Sequence, residues 1–258
     1  MSEHSTVVCV MGMSRSGTSL TTRILNLAGV YLGPEDGLLW HPSNPYGHWE
    51  RLSMLRFNEW LLKSLGGTWR MPPSMPAGWE CSPELAAERE VARRFIEHTF
   101  AGHDLWGWKD PRNCLTLPFW QRLMPEMRYV ICLRNPVDVA ASLERREGMQ
   151  AEEAFELWRT YVSAALDNTE GRPRLFISYD EYFGDWRPPV GRLVRFATAS
   201  SPDEDSWRTI EGAIHAGQRH HRTAAEAVLE DDSVPPRVRD LYLSTLNLAG
   251  APPEAQLP

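Results

Sequence analysis

The chain has 258 residues, 42% of them hydrophobic, and a formal net charge of −7. A chain of this length can bury one sizeable core, so we expect a single α/β domain over residues 1–250 and a flexible tail over residues 251–258. The acidic balance argues against general nucleic-acid binding, which needs a basic face. The sequence has no apolar run long enough to span a membrane and no room for a signal peptide before the first predicted strand, so we expect a cytoplasmic protein.

The predicted elements alternate between strands and helices, which is typical of a parallel sheet covered by helices on both faces. The predicted strands are Val7–Met11, Leu105–Trp108, Arg128–Leu133 and Leu175–Ser178. The predicted helices are Thr18–Ala28, Glu84–Phe100, Cys114–Leu123, Pro136–Arg146 and Ala151–Asn168. Residues 31–104 contain a tryptophan- and proline-rich insertion after the first helix. We therefore expect a P-loop-like α/β fold whose ligands bind beyond the carboxyl ends of the strands.

Four cysteines are present, and their spacing fits neither a metal site nor a disulfide framework. Cys9 and Cys132 fall within predicted buried strands, where a free thiol behaves as a small hydrophobic group. This usage indicates a reducing compartment.

A glycine-rich loop follows the first strand and leads into the first predicted helix. Its sequence is Gly12-Met13-Ser14-Arg15-Ser16-Gly17-Thr18-Ser19. Backbone N–H groups and the helix dipole favour an anion at such a helix start, and Gly12 and Gly17 let the chain approach a phosphate closely. A standard ATP-binding loop carries a lysine after its second glycine, but here Thr18 stands there and Arg15 is the only cation. The loop therefore predicts a phosphate site for a donor other than Mg-ATP.

Two more motifs lie at the ends of predicted strands. Arg134 ends the third strand, and Ser142 lies about two turns into the following helix, whose first turn suits Pro136. Lys109 ends the second strand, in a Lys-Asp-Pro-Arg run. Because the carboxyl ends of parallel strands meet at one edge of a sheet, we expect the loop, Lys109 and Arg134 to converge there.

Together, the three motifs resemble those of PAPS-dependent sulfotransferases, which move a sulfuryl group from 3′-phosphoadenosine 5′-phosphosulfate (PAPS) to a hydroxyl or amine. The Lys-Asp-Pro run is similar to that of the tyrosylprotein branch and of many bacterial members. The resemblance implies that the 5′-phosphosulfate is held by loop residues Gly12, Ser14, Arg15, Ser16, Gly17, Thr18 and Ser19. It implies that Arg134 and Ser142 hold the 3′-phosphate through charge-assisted and hydroxyl hydrogen bonds. It also implies that Lys109 and Arg15 stabilise the negative charge on the leaving phosphate and that no metal ion is needed.

The group that accepts the acceptor's proton is expected in the insertion. The run Asn44-Pro45-Tyr46-Gly47-His48-Trp49-Glu50 resembles an Asn-Pro-x-Gly-aromatic-x-Glu element of bacterial sulfotransferases. This makes Glu50 the first candidate for the base, followed by His48 and then Glu35. Alternatively, Glu50 is only a first-turn glutamate favoured by the helix dipole. The cytosolic aryl and steroid branch has its histidine where Pro111 stands here, so its base cannot be carried over.

The aromatic residues of the insertion and a basic cluster near the C-terminus each have two interpretations, whereas residues 179–186 have only a structural one. Six aromatic residues of the insertion are expected mainly in the core, although they could also line an acceptor pocket: Trp40, Tyr46, Trp49, Trp60, Trp69 and Trp79. Residues 179–186 are predicted to form a surface turn before a covering helix. Arg219 and Arg222 belong to a basic cluster that either closes over the 3′-phosphate, as the resemblance implies, or is simply exposed.

Two other functions remain open from the sequence. A P-loop kinase that uses ATP would employ Asp110 as a metal-holding carboxylate at a strand end. A non-catalytic nucleotide-binding module would keep the pocket without the chemistry. The missing lysine after Gly17 and the pair of Arg134 and Ser142 count against the kinase, whereas Lys109 and a nearby carboxylate count against the non-catalytic module. The sequence indicates neither the oligomeric state nor whether the acceptor is a small molecule, a glycan or a peptide.

Overall fold

The computed structural model describes residues 5–42, 44–215, 217 and 223–250. The predicted tail, residues 251–258, lies outside this range. The sheet has four strands: β1 (Thr6–Met11), β2 (Leu105–Lys109), β3 (Met127–Leu133) and β4 (Arg174–Ser178). The strand order is β2-β1-β3-β4, and every neighbouring pair is parallel. This confirms the expected parallel sheet, and each predicted strand agrees with the observed one to within a residue at either end.

Helices connect the strands, as parallel pairing requires. The bounds in the described part of the chain are α1 (Thr18–Leu27), α2 (Leu52–Ser64), α3 (Ala86–Thr99), α4 (Asn113–Leu123), α5 (Pro136–Glu147), α6 (Ala151–Asn168), α7 (Arg187–Thr198), α8 (Glu204–Glu211), α9 (Ala225–Glu230) and α10 (Pro236–Gly250). Five of these correspond to the helices predicted by range, and α7 is the covering helix expected after residue 186. Helix α2 was given no range; it begins at Leu52, so Glu50 lies before it and not in its first turn.

Side-chain alternation along β1 divides the core into two layers. Val7, Cys9 and Met11 pack with side chains of α3, α4, α5, α6 and α10. Val8 and Val10 face the other way and pack with α1 and α7. Both faces of the sheet are therefore covered by helices, and only the strand ends are left to form a site.

The aromatic residues of the insertion do not follow the expectation of burial in the core. Among them, Trp79 is buried at 8% exposure, whereas Trp40 is 76% exposed. Tyr46 and Trp60 are also exposed, and Trp49 and Trp69 are partly buried. The physical reason is that most of the insertion crosses the rim of the fold, where a large ring meets other side chains on one side only. The expectation was therefore wrong for the three exposed rings, and Trp49 and Trp69 meet it only in part.

Candidate active site

The glycine-rich loop between β1 and α1 has a backbone that only glycine allows at two positions. Gly12 has φ 147° and lies against the Cys132 carbonyl, while Gly17 has φ 83° and lies against the Tyr179 ring. A Cβ at either residue would collide with these neighbours. Ser16 between them is buried, and its Oγ has no hydrogen-bond partner among the described residues. Such a buried donor points to a polar ligand as its partner.

Arg15 joins this loop to the end of β3. Its backbone adopts φ 73°, which is unusual for a residue with a side chain. Its Nε donates to Ser142 Oγ at 2.9 Å, and its carbonyl accepts from Arg134 Nη1 at 3.0 Å. Burial lowers the pKa of Arg15 to about 10, and the positive charges of Arg146 and Arg134 act in the same direction. The loop cation therefore lies among like charges, an arrangement that a bound anion would stabilise.

The end of β3 is held in place by its own local contacts. Arg134 is buried, and its guanidinium lies 4.7 Å from the centre of the Tyr179 ring. Its carbonyl accepts from Trp158 Nε1 at 3.0 Å. Asn135 caps α5 by accepting from the Val137 N–H at 2.9 Å, and Pro136 is the first residue of the helix, as predicted. Arg134 is thus fixed at the start of a helix, where anions bind favourably.

Lys109, the last residue of β2, links the glycine-rich loop to the insertion. Its side chain is only 1% exposed, and its Nζ donates to Glu50 Oε1 at 2.5 Å. The same Nζ lies 3.5 Å from Ser19 Oγ, which itself donates to the His48 carbonyl at 3.1 Å. A buried ammonium needs such a partner, because desolvation of an isolated charge is strongly unfavourable.

The two leading candidates for the base both lie beside Lys109. Burial alone would raise the pKa of Glu50, but the charge of Lys109 and its hydrogen bond outweigh this and lower it. For His48, burial lowers the pKa to about 4, and the charge of Lys109 acts in the same direction. Both groups are therefore unprotonated at neutral pH, as a general base must be. The third candidate, Glu35, is exposed in a short 3₁₀ turn.

These groups meet in a single cavity of about 560 Å³ at the carboxyl edge of the sheet. The predicted residues that line it are Ser14, Arg15, Gly17, Thr18, Ser19, His48, Glu50, Lys109, Arg134 and Ser142. Gly12, Ser16 and Glu35 do not line it, and Arg219 and Arg222 lie outside the described residues. The cavity therefore brings together the three motifs that the sequence placed at strand ends.

The cavity is also lined by residues that were not predicted to bind the donor or to act in catalysis, among them Arg23, Arg146 and Tyr179, and by Trp49, which the sequence offered only as a possible acceptor-pocket residue. Trp49 adopts φ 56°, and the Arg23 guanidinium lies 4.5 Å from its ring centre. Tyr179 corrects the expectation of a surface turn, since it is buried at 5% exposure. The only available signals were the position of Trp49 inside the insertion motif and that of Tyr179 directly after a strand.

The described residues contain neither a candidate metal site nor a helix that could span a membrane. No group of three or more His, Cys, Asp or Glu side chains in this part of the chain is arranged to hold a metal ion. Within the same residues, none of the helices combines the length and apolar character needed to cross a membrane. The four cysteines are free thiols, and three of them, Cys9, Cys114 and Cys132, are buried.

The fold and the site define an α/β protein with a cationic cavity at the carboxyl edge of a parallel sheet. A family model described as "Sulfotransferase family" matches residues 8–203, and the chain therefore belongs to the sulfotransferase family. No curated protein sequence matches the chain at a significant level.

Solved sulfotransferase structures share the fold. The sulfotransferase domain of the Synechococcus PCC 7002 olefin synthase has a TM-score of 0.53 at 17% identity, covering 96% of this chain and 95% of that domain. Sulfotransferase STF9 from Mycobacterium avium has a TM-score of 0.53 at 13% identity, covering 95% of this chain and 77% of that one. At these identities the similarity shows the fold alone.

Proposed function

We propose that this sulfotransferase uses PAPS as its donor and transfers the sulfuryl group to a hydroxyl or amine of a small molecule, glycan or peptide. One observation carries the proposal. A single cavity joins a cation-bearing glycine loop to Arg134 and Ser142, and it places the Lys109–Glu50 ion pair beside that loop. PAPS differs from ordinary nucleotides in having anionic groups at both its 5′ and 3′ positions, and the adjoining cations of the loop and of the β3 end match them.

The residues present fit this donor. Backbone N–H groups at the start of α1, together with Arg15, would hold the 5′-phosphosulfate. Arg134 and Ser142 would hold the 3′-phosphate, since a guanidinium offers bidentate bonds and a hydroxyl adds one more. The glycine backbone at Gly17, which lines the cavity, supports a close approach of phosphate to the loop.

The chemistry follows from the groups around the loop. Sulfuryl transfer resembles phosphoryl transfer, in which positioning and charge stabilisation supply most of the catalysis. Lys109 and Arg15 would stabilise negative charge on the leaving phosphate. Glu50 remains our first choice for the base, because its carboxylate lines the cavity and is unprotonated at neutral pH, and His48 is the second. Fixed cations of this kind would take the role that Mg²⁺ has in ATP-dependent enzymes.

The contacts of Asp110 count against the kinase alternative. A metal-holding carboxylate would have to face the nucleotide, but Asp110 is fully buried and does not line the cavity. Its Oδ2 accepts from Asn58 Nδ2 at 2.9 Å, and its Oδ1 accepts from Arg112 Nη1 at 3.0 Å. For a non-catalytic module, the buried Lys109–Glu50 pair would have no purpose, and substitution of Lys109 tests that alternative directly.

Calorimetric titration with adenosine 3′,5′-bisphosphate (PAP) tests the donor assignment, with 5′-AMP as the control ligand. We expect PAP to bind the wild type much more tightly than 5′-AMP does. Arg134→Ala should weaken PAP binding about 10- to 100-fold, because a hydrogen-bonded pair with a charged group contributes about 1.5–3 kcal/mol. Arg172→Ala is the matched control, since Arg172 lies at the opposite edge of the sheet. Equal affinity for 5′-AMP, or no binding of PAP, would refute the PAPS donor.

A further inference from the structure

The Lys109–Glu50 ion pair joins the end of β2 to a part of the insertion that lies outside the four-stranded sheet. Lys109 ends β2, whereas Glu50 lies in the insertion just before α2. The backbone around Glu50 is tied to the insertion itself, because its carbonyl accepts from the Leu39 N–H at 2.7 Å. A parallel bridge between Tyr31 and Trp106 ties the start of the insertion to the middle of β2. A further contact ties the end of β2 to α2.

That contact is made by Asn58 on α2. Asn58 is fully buried, and its Nδ2 donates to Asp110 Oδ2 and to Asn113 Oδ1, each at 2.9 Å. Its Oδ1 accepts from Thr116 Oγ1 and from Trp120 Nε1, each at 2.8 Å. Both donors of the amide are used and its oxygen accepts twice, which makes this a fully satisfied network in a low-dielectric interior.

Asp110 completes the connection, since it directly follows Lys109 in the chain. Its Oδ1 accepts from the Arg112 N–H at 2.9 Å and from Arg112 Nη1 at 3.0 Å. Arg112 Nη2 in turn donates to Glu59 Oε1 at 2.8 Å. The turn after β2 is thus bound to two consecutive residues of α2, Asn58 and Glu59.

We propose that Asn58 and Asp110 are positioning residues that set the approach of Glu50 to Lys109. The catalytic role of this ion pair rests on the proposed function. The approach of Glu50 to Lys109, in contrast, can be measured without any donor. Asp110 acts through the backbone of its neighbour Lys109, and Asn58 acts through the helix that begins just after Glu50. Neither side chain lines the cavity.

Two lysines are present in the whole chain, buried Lys109 and exposed Lys63, and this makes a spectroscopic test direct. With lysine labelled at Cε, NMR gives one signal for each residue. The chemical shift of the Lys109 signal should change with pH as Glu50 titrates. The variant Glu50→Gln removes this change and so assigns it to Glu50. The other titratable or charged groups facing Glu50 are His48, Arg112 and Asp110.

In the variant Asp110→Asn, the direction in which the pKa of Glu50 changes shows whether the network positions the ion pair. Whichever way the new amide turns, its NH₂ group faces a donor, either Asn58 Nδ2 or the N–H groups of Arg112, so one link to α2 is replaced by opposed donors. If the network positions the pair, Glu50 moves away from Lys109 and its pKa rises by about one unit. If the network does not position the pair, loss of the Asp110 negative charge alone lowers the pKa of Glu50. A fall, or no change, would therefore overturn the proposal.

A double variant and a control complete the experiment. Asn58→Asp with Asp110→Asn reverses donor and acceptor between these two side chains, although the bond to Asn113 is lost. It should bring both the Glu50 titration and the mobility of the Lys109 Cε group back toward wild-type values. Thr116→Val removes a hydrogen bond from the same network on the side away from Lys109 and should leave both unchanged. Should Asp110→Asn fail to fold, the double variant carries the test, and a folded double variant with a mobile Lys109 would overturn the proposal. PAP affinity, measured in parallel, reports separately on the proposed donor.

Discussion

Arginines lie beside a cavity at both edges of the sheet, but the groups that surround these arginines differ between the two edges. At the amino edge, a cavity of about 340 Å³ is lined by Arg128 and Arg172. Arg128 Nη1 donates to the carbonyls of Phe196 and Ala197, at 2.9 and 3.1 Å, where α7 ends. In a parallel α/β fold the helices end at this edge, and their last carbonyls and negative dipole ends suit a cation.

At the carboxyl edge the helices begin, so the dipoles are positive there and the arginines add to them. Arg15 lies close enough to Arg134 and Arg146 for their charges to lower its pKa. Such an arrangement destabilises the free protein slightly and is offset when an anion binds only the folded state. From this comparison we expect arginines at the amino edge to contribute to stability and cations at the carboxyl edge to contribute to ligand binding. Substitutions at the two edges should therefore differ in what they impair.

The largest expected effect is at Lys109, the most deeply buried cation of the carboxyl edge. Lys109→Ala should lower the rate of sulfuryl transfer about 10²- to 10³-fold, as does the loss of other groups that stabilise charge in a transition state. The measurement is release of PAP from PAPS in the presence of a mixed panel of hydroxyl and amine acceptors.

Lys63→Ala provides the matched control, since it removes the other lysine of the chain from the exposed end of α2. We expect its rate to equal that of the wild type. A Lys109→Ala protein that folds and retains more than a tenth of the wild-type rate would show that Lys109 is not part of the chemistry.

The second effect concerns the pH dependence of stability at His48. Its pKa is lowered to about 4 in the folded protein from an ordinary value of 6.5, so the unfolded chain binds the proton more tightly. Stability from this group is therefore complete above pH 6.5 and is lost as the pH falls toward 4. The expected loss is on the order of 2 kcal/mol across this window, because a full shift of this size is moderated by partial solvation.

Urea unfolding of the wild type and His48→Gln between pH 4 and pH 7 isolates this contribution. The difference in unfolding free energy between the two proteins should shrink or reverse toward pH 4. A difference that does not change with pH would mean that His48 is not held in its neutral form by burial at the cavity.

The same contrast explains what could be predicted from the sequence. β1 was predicted to within one residue because a run of β-branched residues is followed by a glycine loop that must begin where the strand ends. Arg134, Lys109 and the loop were placed at one edge because parallel strands share their direction. These are local patterns combined with one rule of topology, and they were sufficient to locate the cavity.

The insertion could not be predicted in this way, because its burial depends on partners that are distant in the chain. Helix α2 was given no range, and a helix near Glu50 entered only as the alternative for that residue, although α2 carries the fully buried Asn58. An asparagine within an apolar stretch gives no sign that its amide will meet Asp110, Thr116 and Trp120. Likewise, Trp40 and Trp79 have the same side chain but opposite exposure, since only tertiary packing decides which ring is covered.

The smallest effect is the most direct test of the two edges, because it compares the same substitution at each. Arg128→Gln removes two hydrogen bonds to carbonyls at the end of α7 and should lower the unfolding free energy by about 1–2 kcal/mol. Arg15→Gln removes one bond to Ser142 but also relieves repulsion from Arg134 and Arg146, so the net change should lie within about 0.5 kcal/mol of zero.

Addition of PAP should reverse which of the two variants is less stable relative to the wild type. A ligand that binds only the folded state raises the unfolding free energy according to its affinity, so PAP should stabilise Arg128→Gln as strongly as the wild type. The same concentration should stabilise Arg15→Gln much less, because the loop cation is missing. Thermal unfolding of both variants with and without PAP gives all four values in one experiment. Equal stabilisation of the two variants by PAP would contradict the expected difference between the two edges. It would mean that Arg15 contributes no more to anion binding than Arg128 at the opposite edge of the sheet.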